Sequence, residues 1–382
     1  MFLRTRMPPT GPGDAVSNSP QVLQKQAVIA QIQGQPVTIP PLETFLPPGW
    51  PLHKNQHYAA SKPIIEKWIT EVVAGSKRQV GTIMADMTGL AAYFYPLIDD
   101  LEVFIALVKF VHWIFFFDDR LDDGDLVHHT KLAKQYREDT SRLCAQCFLP
   151  EVHGVPNRTE WLNVNWIEEI AAVITPLLAF DHREALVDEI DHYINACDLE
   201  QRYRNSDDLP SVQDFMTFRY NSGACGLVFA TGLPLMTTNL SAKDLQLAGE
   251  ISWLANWLVL YPNELISLKK ELASGQLENL VPTPAASEGP QCDLQSAINR
   301  TTRQIQAAGI ELDLAESKLL ATLDHANASQ EKTAEFSKLA FIYKSLILGN
   351  LKWHYESARY GVAADSKEIG GAISYIVQVG DM

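Results

Sequence analysis

Residues 115–123 read FFFDDRLDD and close a long apolar run that begins at Leu101. An apolar run of this length predicts a buried helix. Unpaired charge is costly in such a helix, so its acidic end must face something positive. A helix turns about 100° per residue, which places Asp118 and Asp122 on one side with Asp119 close by. Three carboxylates at this spacing, next to aromatic residues, predict a site for a hard cation that takes oxygen ligands.

The rest of the chain shows helical periodicity from residue 57 onward, with few strand signals and no repeat. Apolar residues recur at spacings of three and four, which predicts an all-α fold in one helical bundle. In such bundles, cofactor and metal sites are built from side chains on facing helices. The predicted helices include one kinked helix over 161–180, one long helix over 242–272, and two separate helices over 294–308 and 314–328.

The two ends of the chain differ from this helical middle part. Residues 1–55 are rich in Pro, Gly, Gln and Ser, and we expect them to be disordered or draped over the surface. The helical domain is predicted over 56–362. Residues 363–382 form a C-terminal tail, which is a candidate for part of a lid.

Composition narrows the class of protein. A hydrophobic content of 46% supports a large core, and a net charge of −15 argues against nucleic acid and anionic membrane surfaces as partners. No apolar run reaches the roughly 20 residues that a membrane helix needs. Residues 1–20 lack the apolar core of a secretory signal. We therefore expect a cytoplasmic protein without membrane insertion, which holds any anionic ligand through local Arg, Lys or metal.

A second set of oxygen ligands is predicted within the helix over 242–272. Asn263, Ser267 and Glu271 are spaced by four residues and therefore share one face. An amide, a hydroxyl and a carboxylate suit Mg²⁺ when substrate phosphates fill the rest of its shell. Pro262 precedes them and predicts a local distortion of the helix. Such a stripe alone is more often a solvated surface, but together with the acidic helix it predicts a shared metal site.

These two motifs together resemble those of the class I terpene synthases, most closely the fungal and bacterial sesquiterpene cyclases. The resemblance covers roughly 58–360 and includes two further features in the right order, FMTFRYNSG at 215–223 and WHYESARY at 353–360. Two positions depart from the usual pattern. Glu264 stands where the family commonly has Asp, and Ser222 stands where Asp or Thr is frequent.

The resemblance implies a helical bundle of the class I terpenoid synthase type around a central active-site cavity. It implies three Mg²⁺ ions, bound together with diphosphate by six oxygen-bearing side chains: Asp118, Asp119, Asp122, Asn263, Ser267 and Glu271. It also implies four catalytic side chains that contact the diphosphate: Arg219, Lys270, Arg359 and Tyr360. Ser222 and Gly223 would be the linker and effector residues beside the substrate.

Removal of diphosphate leaves a carbocation, which water would destroy, so the remaining part of the cavity must be dry and shaped. Phe115 lies one turn before Asp118 and is predicted to face inward, with Ile114 beside it. Phe94 and Trp353 are further candidates for this wall. Each aromatic face offers a cation–π contact of about 1–2 kcal/mol.

We therefore expect a Mg²⁺-dependent sesquiterpene cyclase, a carbon–oxygen lyase that ionises farnesyl diphosphate. Its cation would be quenched by proton loss or by water. A diterpene cyclase acting on geranylgeranyl diphosphate stays open, because chain length discriminates weakly. A chain-elongating prenyltransferase would need a second Asp-rich motif, and a non-catalytic helical binding protein predicts gaps among the charged ligands. The oligomeric state is open between a monomer and a homodimer.

Overall fold

The structure is a computed structural model that describes residues 25–73, 77–122, 124–288, 293–361 and 371–380. The helices of the first half are α1 (Lys25–Ile32), α2 (Tyr58–Val72), α3 (Lys77–Met84), α4 (Met87–Phe94), α5 (Leu101–Asp122), α6 (Thr130–Phe148), α7 (Pro150–His153), α8 (Leu162–Asn165) and α9 (Ile167–Ile174). The later ones are α10 (Phe180–Arg204), α11 (Val212–Ser222), α12 (Cys225–Met236), α13 (Ala242–Leu247), α14 (Gly249–Ala273), α15 (Thr283–Glu288), α16 (Leu294–His325) and α17 (Gln330–Glu356).

The predicted all-α bundle is confirmed. Helices α5 and α14 are buried over most of their length, because both are apolar on nearly every face. Helix α5 packs against α4 and α9, α14 packs against α16 and α17, and α10 joins α6, α11 and α12. Helix α14 continues through Pro262, so the expected distortion does not interrupt it. In the described part of the chain, every helix is too short or too polar to cross a membrane.

The bounds predicted for four helices are wrong: two of these helices are divided in the structure, and the other two are joined. The helix expected over 242–272 is divided at Ala248, because a capping box starts α13 separately and Gly249 follows the break. The helix expected over 161–180 is split into α8, α9 and a 3₁₀ turn over Thr175–Leu177, which contains the predicted kink at Pro176.

The two helices expected over 294–308 and 314–328 are a single helix, α16. The break was expected near Gly309, a weak helix former. In the structure Gly309 makes room for the N-terminal segment, since a Cβ there would lie 2.7 Å from Cδ of Pro47. The glycine therefore serves a close approach between segments and does not end the helix.

The described residues 25–55 of the N-terminal segment pack on the bundle. Its strand β1 (Pro36–Ile39) pairs antiparallel with β2 (Ile373–Ile376) from the C-terminal tail, a pairing that the sequence did not suggest. The amide of Gln295 on α16 binds both backbone groups of Thr38, at 2.7 and 2.9 Å. Of the predicted end segments, residues 1–24, 362–370 and 381–382 lie outside the described residues.

Candidate active site

A cavity opens among α5, α10, α11, α12, α14 and α17, with an empty volume of about 1350 Å³ that includes its mouth. All the site residues predicted from the sequence line it: Phe94, Ile114, Phe115, Asp118, Asp119, Asp122, Arg219, Ser222, Gly223, Asn263, Ser267, Lys270, Glu271, Trp353, Arg359 and Tyr360. The structure therefore brings four separate sequence motifs to one place.

The acidic wall of the cavity is the last turn of α5. Carboxylates at a helix C-terminus meet the negative end of the helix dipole, which increases their need for a cation. Asp118 accepts a hydrogen bond from the Tyr193 hydroxyl at 3.4 Å. Burial, reinforced by the nearby Asp122 and Glu200, raises the pKa of Asp118 well above its ordinary value. A bound cation would offset the repulsion among these carboxylates.

Arg204 is a basic residue beside this wall that the sequence reasoning missed. It lies at the end of α10, forms an ion pair with Asp122 and stands 3.4 Å from Glu200. Its side chain is only 12% exposed. The signal available in the sequence was the i, i+4 spacing of Glu200 and Arg204, which indicates a pair on one helix face but not its partner on α5.

Asn263 joins three elements on the opposite wall. Its side-chain oxygen accepts a hydrogen bond from Nη2 of Arg219 at 2.7 Å. Its amide nitrogen donates to Nε2 of His354 at 2.9 Å and to the Tyr360 hydroxyl at 3.1 Å. A metal ion bound at the Asn263 oxygen would therefore take the place that Arg219 occupies in this structure.

Arg219 is held by Glu264, the residue that departs from the family pattern. Nε of Arg219 donates to Glu264 at 2.7 Å, and the second oxygen of Glu264 accepts from the backbone of Leu280 at 3.0 Å. Burial alone would lower the pKa of Arg219, but Glu264, Glu200 and Glu271 raise it above its ordinary value. The guanidinium therefore stays charged inside the cavity. The sequence reasoning had assigned no role to Glu264.

Ser267 and Glu271 complete the polar face of α14. The Ser267 hydroxyl is enclosed and has no hydrogen-bond partner among the described residues. Glu271 accepts a hydrogen bond from the Asn279 amide at 2.8 Å. Burial, and then the nearby Glu264, raises the pKa of Glu271 to about 7. An unpartnered hydroxyl beside a carboxylate fits the oxygen donors that Mg²⁺ takes.

The donor set as a whole fits Mg²⁺ bound together with an anion. Carboxylate, amide and hydroxyl oxygens occur on two facing walls, and Lys270 is exposed at the mouth between them. Within the described ranges, no group of three His, Cys, Asp or Glu side chains is already arranged to hold a metal ion. Metal ions at this site would need a bridging ligand such as diphosphate to connect the walls.

The residues after α17 close over the acidic wall. Nη2 of Arg359 lies 3.9 Å from the Asp119 carboxylate, and its guanidinium lies 4.8 Å from the centre of the Phe115 ring. Tyr360 stacks on His354 with ring centres 5.0 Å apart. The predicted closing pair therefore reaches both walls of the cavity.

His354 is a second residue that the sequence reasoning passed over, although it lies inside the WHYESARY motif. Its Nδ1 donates to the backbone oxygen of Asn350 at 2.7 Å, which leaves Nε2 to accept from Asn263. Burial lowers the pKa of His354 to about 4, so the ring is neutral near pH 7. It orients the Asn263 amide.

Below this polar layer the cavity wall is apolar. Trp353 is 3% exposed, and its indole donates to the backbone oxygens of Ala85 and Asp86 at 2.9 and 3.0 Å. Its ring centre lies 6.5 Å from that of Phe115. Other apolar side chains share this lining: Leu90, Phe94, Val111, Ile114, Val228, Phe229, Val259, Leu260 and Leu346.

Helices α11 and α12 are separated by a short non-helical break at the edge of this apolar region. A Cβ on Gly223 would lie 2.2 Å from Cδ2 of Leu260, so only glycine lets the two helices approach this closely. Ala224 follows with a positive φ of 58°. The Ser222 hydroxyl is enclosed and unpartnered within the described chain. Ser222 and Gly223 thus lie at a helix break that faces the cavity.

Comparison with known proteins agrees with this geometry. The family model described as "Terpene synthase family 2, C-terminal metal binding" matches residues 109–308. A terpene cyclase, braA, of Annulohypoxylon truncatum is 27% identical over 272 residues, which is 68% of this chain and 69% of the relative. The sesquiterpene cyclase hepA of Aspergillus oryzae is 22% identical over 377 residues, which is 95% of this chain and 99% of the relative.

Among solved structures, germacradien-4-ol synthase from Streptomyces citricolor superimposes with a TM-score of 0.68 at 16% identity. The match covers 81% of this chain and 97% of that protein. At this level of identity the likeness shows a shared fold.

Proposed function

The chain belongs to terpene synthase family 2, whose model matches residues 109–308, and we propose that it is a sesquiterpene cyclase acting on farnesyl diphosphate. The observation that carries the proposal is the cavity itself. Two helices present oxygen ligands from facing walls, basic side chains lie between them, and an apolar chamber follows below. A polar mouth and a dry interior are what an enzyme needs to ionise a prenyl diphosphate and protect the resulting cation.

Six side chains hold Mg²⁺ in this proposal: Asp118, Asp119, Asp122, Asn263, Ser267 and Glu271. When bound, the ions supply Lewis-acid neutralisation of the diphosphate charge. The arrangement of the oxygen donors on two walls supports three ions with a bridging diphosphate, as the resemblance implies. The like-charge repulsion at Asp118 and the unpartnered Ser267 hydroxyl are both relieved by such binding.

Four side chains orient the diphosphate: Arg219, Lys270, Arg359 and Tyr360. Arg219 binds the Asn263 amide oxygen in this structure, and its planar guanidinium would bind phosphate oxygens if a metal ion took that amide oxygen instead. Glu264 keeps Arg219 in place during the exchange, because it holds Nε separately at 2.7 Å. Arg359 and Tyr360 reach over the mouth, and Tyr360 donates a hydrogen bond to the diphosphate as the site closes.

The apolar chamber shapes the cation and excludes bulk water. The Phe115 ring lines the chamber, and the guanidinium of Arg359 lies 4.8 Å from the centre of that ring. Trp353 cannot turn, since its indole is tied to two backbone oxygens. Phe94 and Ile114 complete the wall. The cation is finally quenched by proton loss or by water capture, and diphosphate leaves. We place the enzyme in the cytoplasm.

The proposal is tested by incubating the purified protein with Mg²⁺ and prenyl diphosphates of ten, fifteen and twenty carbons, followed by gas chromatography of the extract. We expect a cyclic product from the fifteen-carbon substrate. Asp118→Ala and Asn263→Ala should abolish turnover with an unchanged circular dichroism spectrum. The matched control is Glu102→Ala, an exposed acid at the other end of α5, which should keep normal turnover.

Each outcome has a clear meaning. Normal product from Asp118→Ala would contradict the metal-binding role of the acidic wall. Product from the twenty-carbon substrate alone would replace the sesquiterpene assignment with a diterpene one. No product from any of the three substrates would overturn the proposed function.

A further inference from the structure

Asn350 is a polar side chain at the boundary between the polar mouth and the apolar chamber. Helix α17 lines the cavity through Leu346, Asn350, Trp353 and His354, whose spacing places them on one face. His354 contacts Asn263 in the polar layer. Asn350 lies one turn earlier, about 6 Å further along the helix axis, and Leu346 lies one turn beyond it. An amide group therefore stands just below the layer where diphosphate would leave.

The Asn350 side chain is poorly satisfied by the protein. The residue is 2% exposed, and in the described part of the chain its side chain makes a single hydrogen bond, from Nδ2 to the Val259 oxygen at a long 3.4 Å. A side-chain amide offers two donor hydrogens and an oxygen that accepts two bonds. The Val259 carbonyl can only accept, so the amide nitrogen faces α14 and the amide oxygen lies at the other end.

The Asn350 oxygen keeps access to the cavity. It has no protein partner among the residues described, and it is not fully enclosed. The residue itself lines the cavity. Buried polar groups without protein partners are commonly satisfied by an ordered water. Because the neighbouring chamber wall is apolar, it offers a water no other hydrogen-bond partner, and a water at this amide would stay in one position.

We infer that the Asn350 amide holds this water for the final step, so that the enzyme releases an alcohol and not a hydrocarbon. The inference rests on the proposed function and names its product class. The water donates one hydrogen to Oδ1 of Asn350, which leaves an oxygen lone pair directed at the cation. Asn350 is thus a water-binding residue that selects one of the two quenching routes.

The step balances without any further reactant. The C–O bond to diphosphate breaks and its electron pair leaves with the diphosphate. The water oxygen forms a new bond to the cationic carbon, and the resulting oxonium gives one proton to the diphosphate in the same cavity. Farnesyl diphosphate and one water therefore yield a fifteen-carbon alcohol and hydrogen diphosphate.

The test is turnover in ¹⁸O-labelled water with product analysis by gas chromatography and mass spectrometry. We expect the wild-type enzyme to give an alcohol that carries ¹⁸O. Asn350→Leu, which has a similar shape and no hydrogen-bonding group, should lower the alcohol-to-hydrocarbon ratio about tenfold or more, while substrate is still consumed.

The matched control is Asn256→Leu. Asn256 is a buried asparagine on α14 whose amide binds the Tyr220 oxygen at 3.1 Å, outside the cavity lining. Its variant should keep the wild-type product ratio. If Asn350→Leu does not fold, Asn350→Ser and Asn350→Ala replace it, and the serine variant should retain more alcohol because its hydroxyl can still hold water.

The results separate this inference from the function on which it rests. A wild-type product that is only hydrocarbon, an alcohol without ¹⁸O, or an unchanged ratio in the Asn350 variants would each overturn the role of Asn350 while the cyclase assignment stands. Absence of product from every prenyl diphosphate overturns the cyclase assignment, and the inference falls with it.

Discussion

Replacement of Lys25 by methionine tests whether the N-terminal segment is an integral part of the bundle. Lys25 begins α1, and its side chain is only 6% exposed. Its ammonium lies 2.6 Å from the carboxylate of Glu278, which is 2% exposed and lines the cavity. The same ammonium donates to the backbone oxygens of Tyr203 and Arg204 at 2.8 and 3.1 Å. It therefore ties α1 to the end of α10 beside the acidic wall.

The expected loss is large because three groups lose their donor together. Lys25→Met leaves the Glu278 carboxylate buried without a counter-ion, and breaking a buried pair in this way costs about 3–5 kcal/mol. The double variant Lys25→Met/Glu278→Gln removes both charges. It should recover most of the ionic loss and remain about 1–2 kcal/mol below wild type, since the two backbone oxygens still lack their donor.

The assay is equilibrium unfolding in urea, followed by tryptophan fluorescence and far-ultraviolet circular dichroism. The matched control is Lys67→Met on α2, an 80% exposed lysine paired with Glu71, which should change the free energy of unfolding by less than about 0.5 kcal/mol. A Lys25→Met variant as stable as this control would refute the docking of α1. A double variant less stable than the single one would refute the ion pair.

Three further predictions concern the cavity. Arg219→Lys cannot keep the contact to Glu264 while it binds phosphate oxygens in two places, so turnover should fall roughly 10²–10³-fold with the fold retained; a near-normal rate would show that the planar guanidinium has no part in turnover. Phe115→Ala and Trp353→Ala should change the product mixture, read by gas chromatography, more than they weaken substrate binding, and an unaltered mixture would remove either residue from the chamber wall. In the metal-free protein, burial raises the pKa of Glu271 to about 7, above the roughly 4.3 of an unfolded chain. Its contribution to stability is therefore complete below about pH 4 and is lost as the pH rises through about 7. Since metal binding needs the carboxylate, binding of Mg²⁺ and diphosphate should release a proton and tighten over the same range. Calorimetry in buffers of different ionisation heat measures the protons released, and a wild-type release no larger than that of Glu271→Gln would contradict the assignment to Glu271.

The two motifs that we propose to bind metal could be recognised in the sequence because helix geometry alone decides which of their side chains share a face. Asp118 and Asp122 on α5, and Asn263 and Glu271 on α14, needed no knowledge of the tertiary fold. That the two helices share one site was predicted from the bundle architecture, the resemblance to a family added the central cavity, and the structure places all four residues around that cavity.

The supporting contacts could not be predicted, since they join elements that are distant in the chain. In the sequence, Arg204 is one of several basic residues on α10, and only the structure identifies Asp122 as its partner. Glu264 was noticed only as a departure from a motif, although it binds Arg219 directly. The gap predicted between residues 308 and 314 begins at Gly309, and local propensity carries no information about Pro47, which packs against this glycine.

The small sheet was missed for the same reason. Strands of four residues carry weak local signals. A hairpin turn marks a pair of strands only when they are adjacent in sequence, and β1 and β2 are not. β1 and β2 pair across the whole domain, with Thr38 and Ser374 hydrogen-bonded at 2.9 Å although they are 336 positions apart.

This pairing has a consequence for biosynthesis on the ribosome. β1 leaves the exit tunnel before helices α2 to α17, whereas β2 emerges after them. During elongation, β1 therefore waits with an unpaired edge while the helices between the strands are synthesised. The small sheet can therefore form only after β2 has left the tunnel and returns to pair with β1.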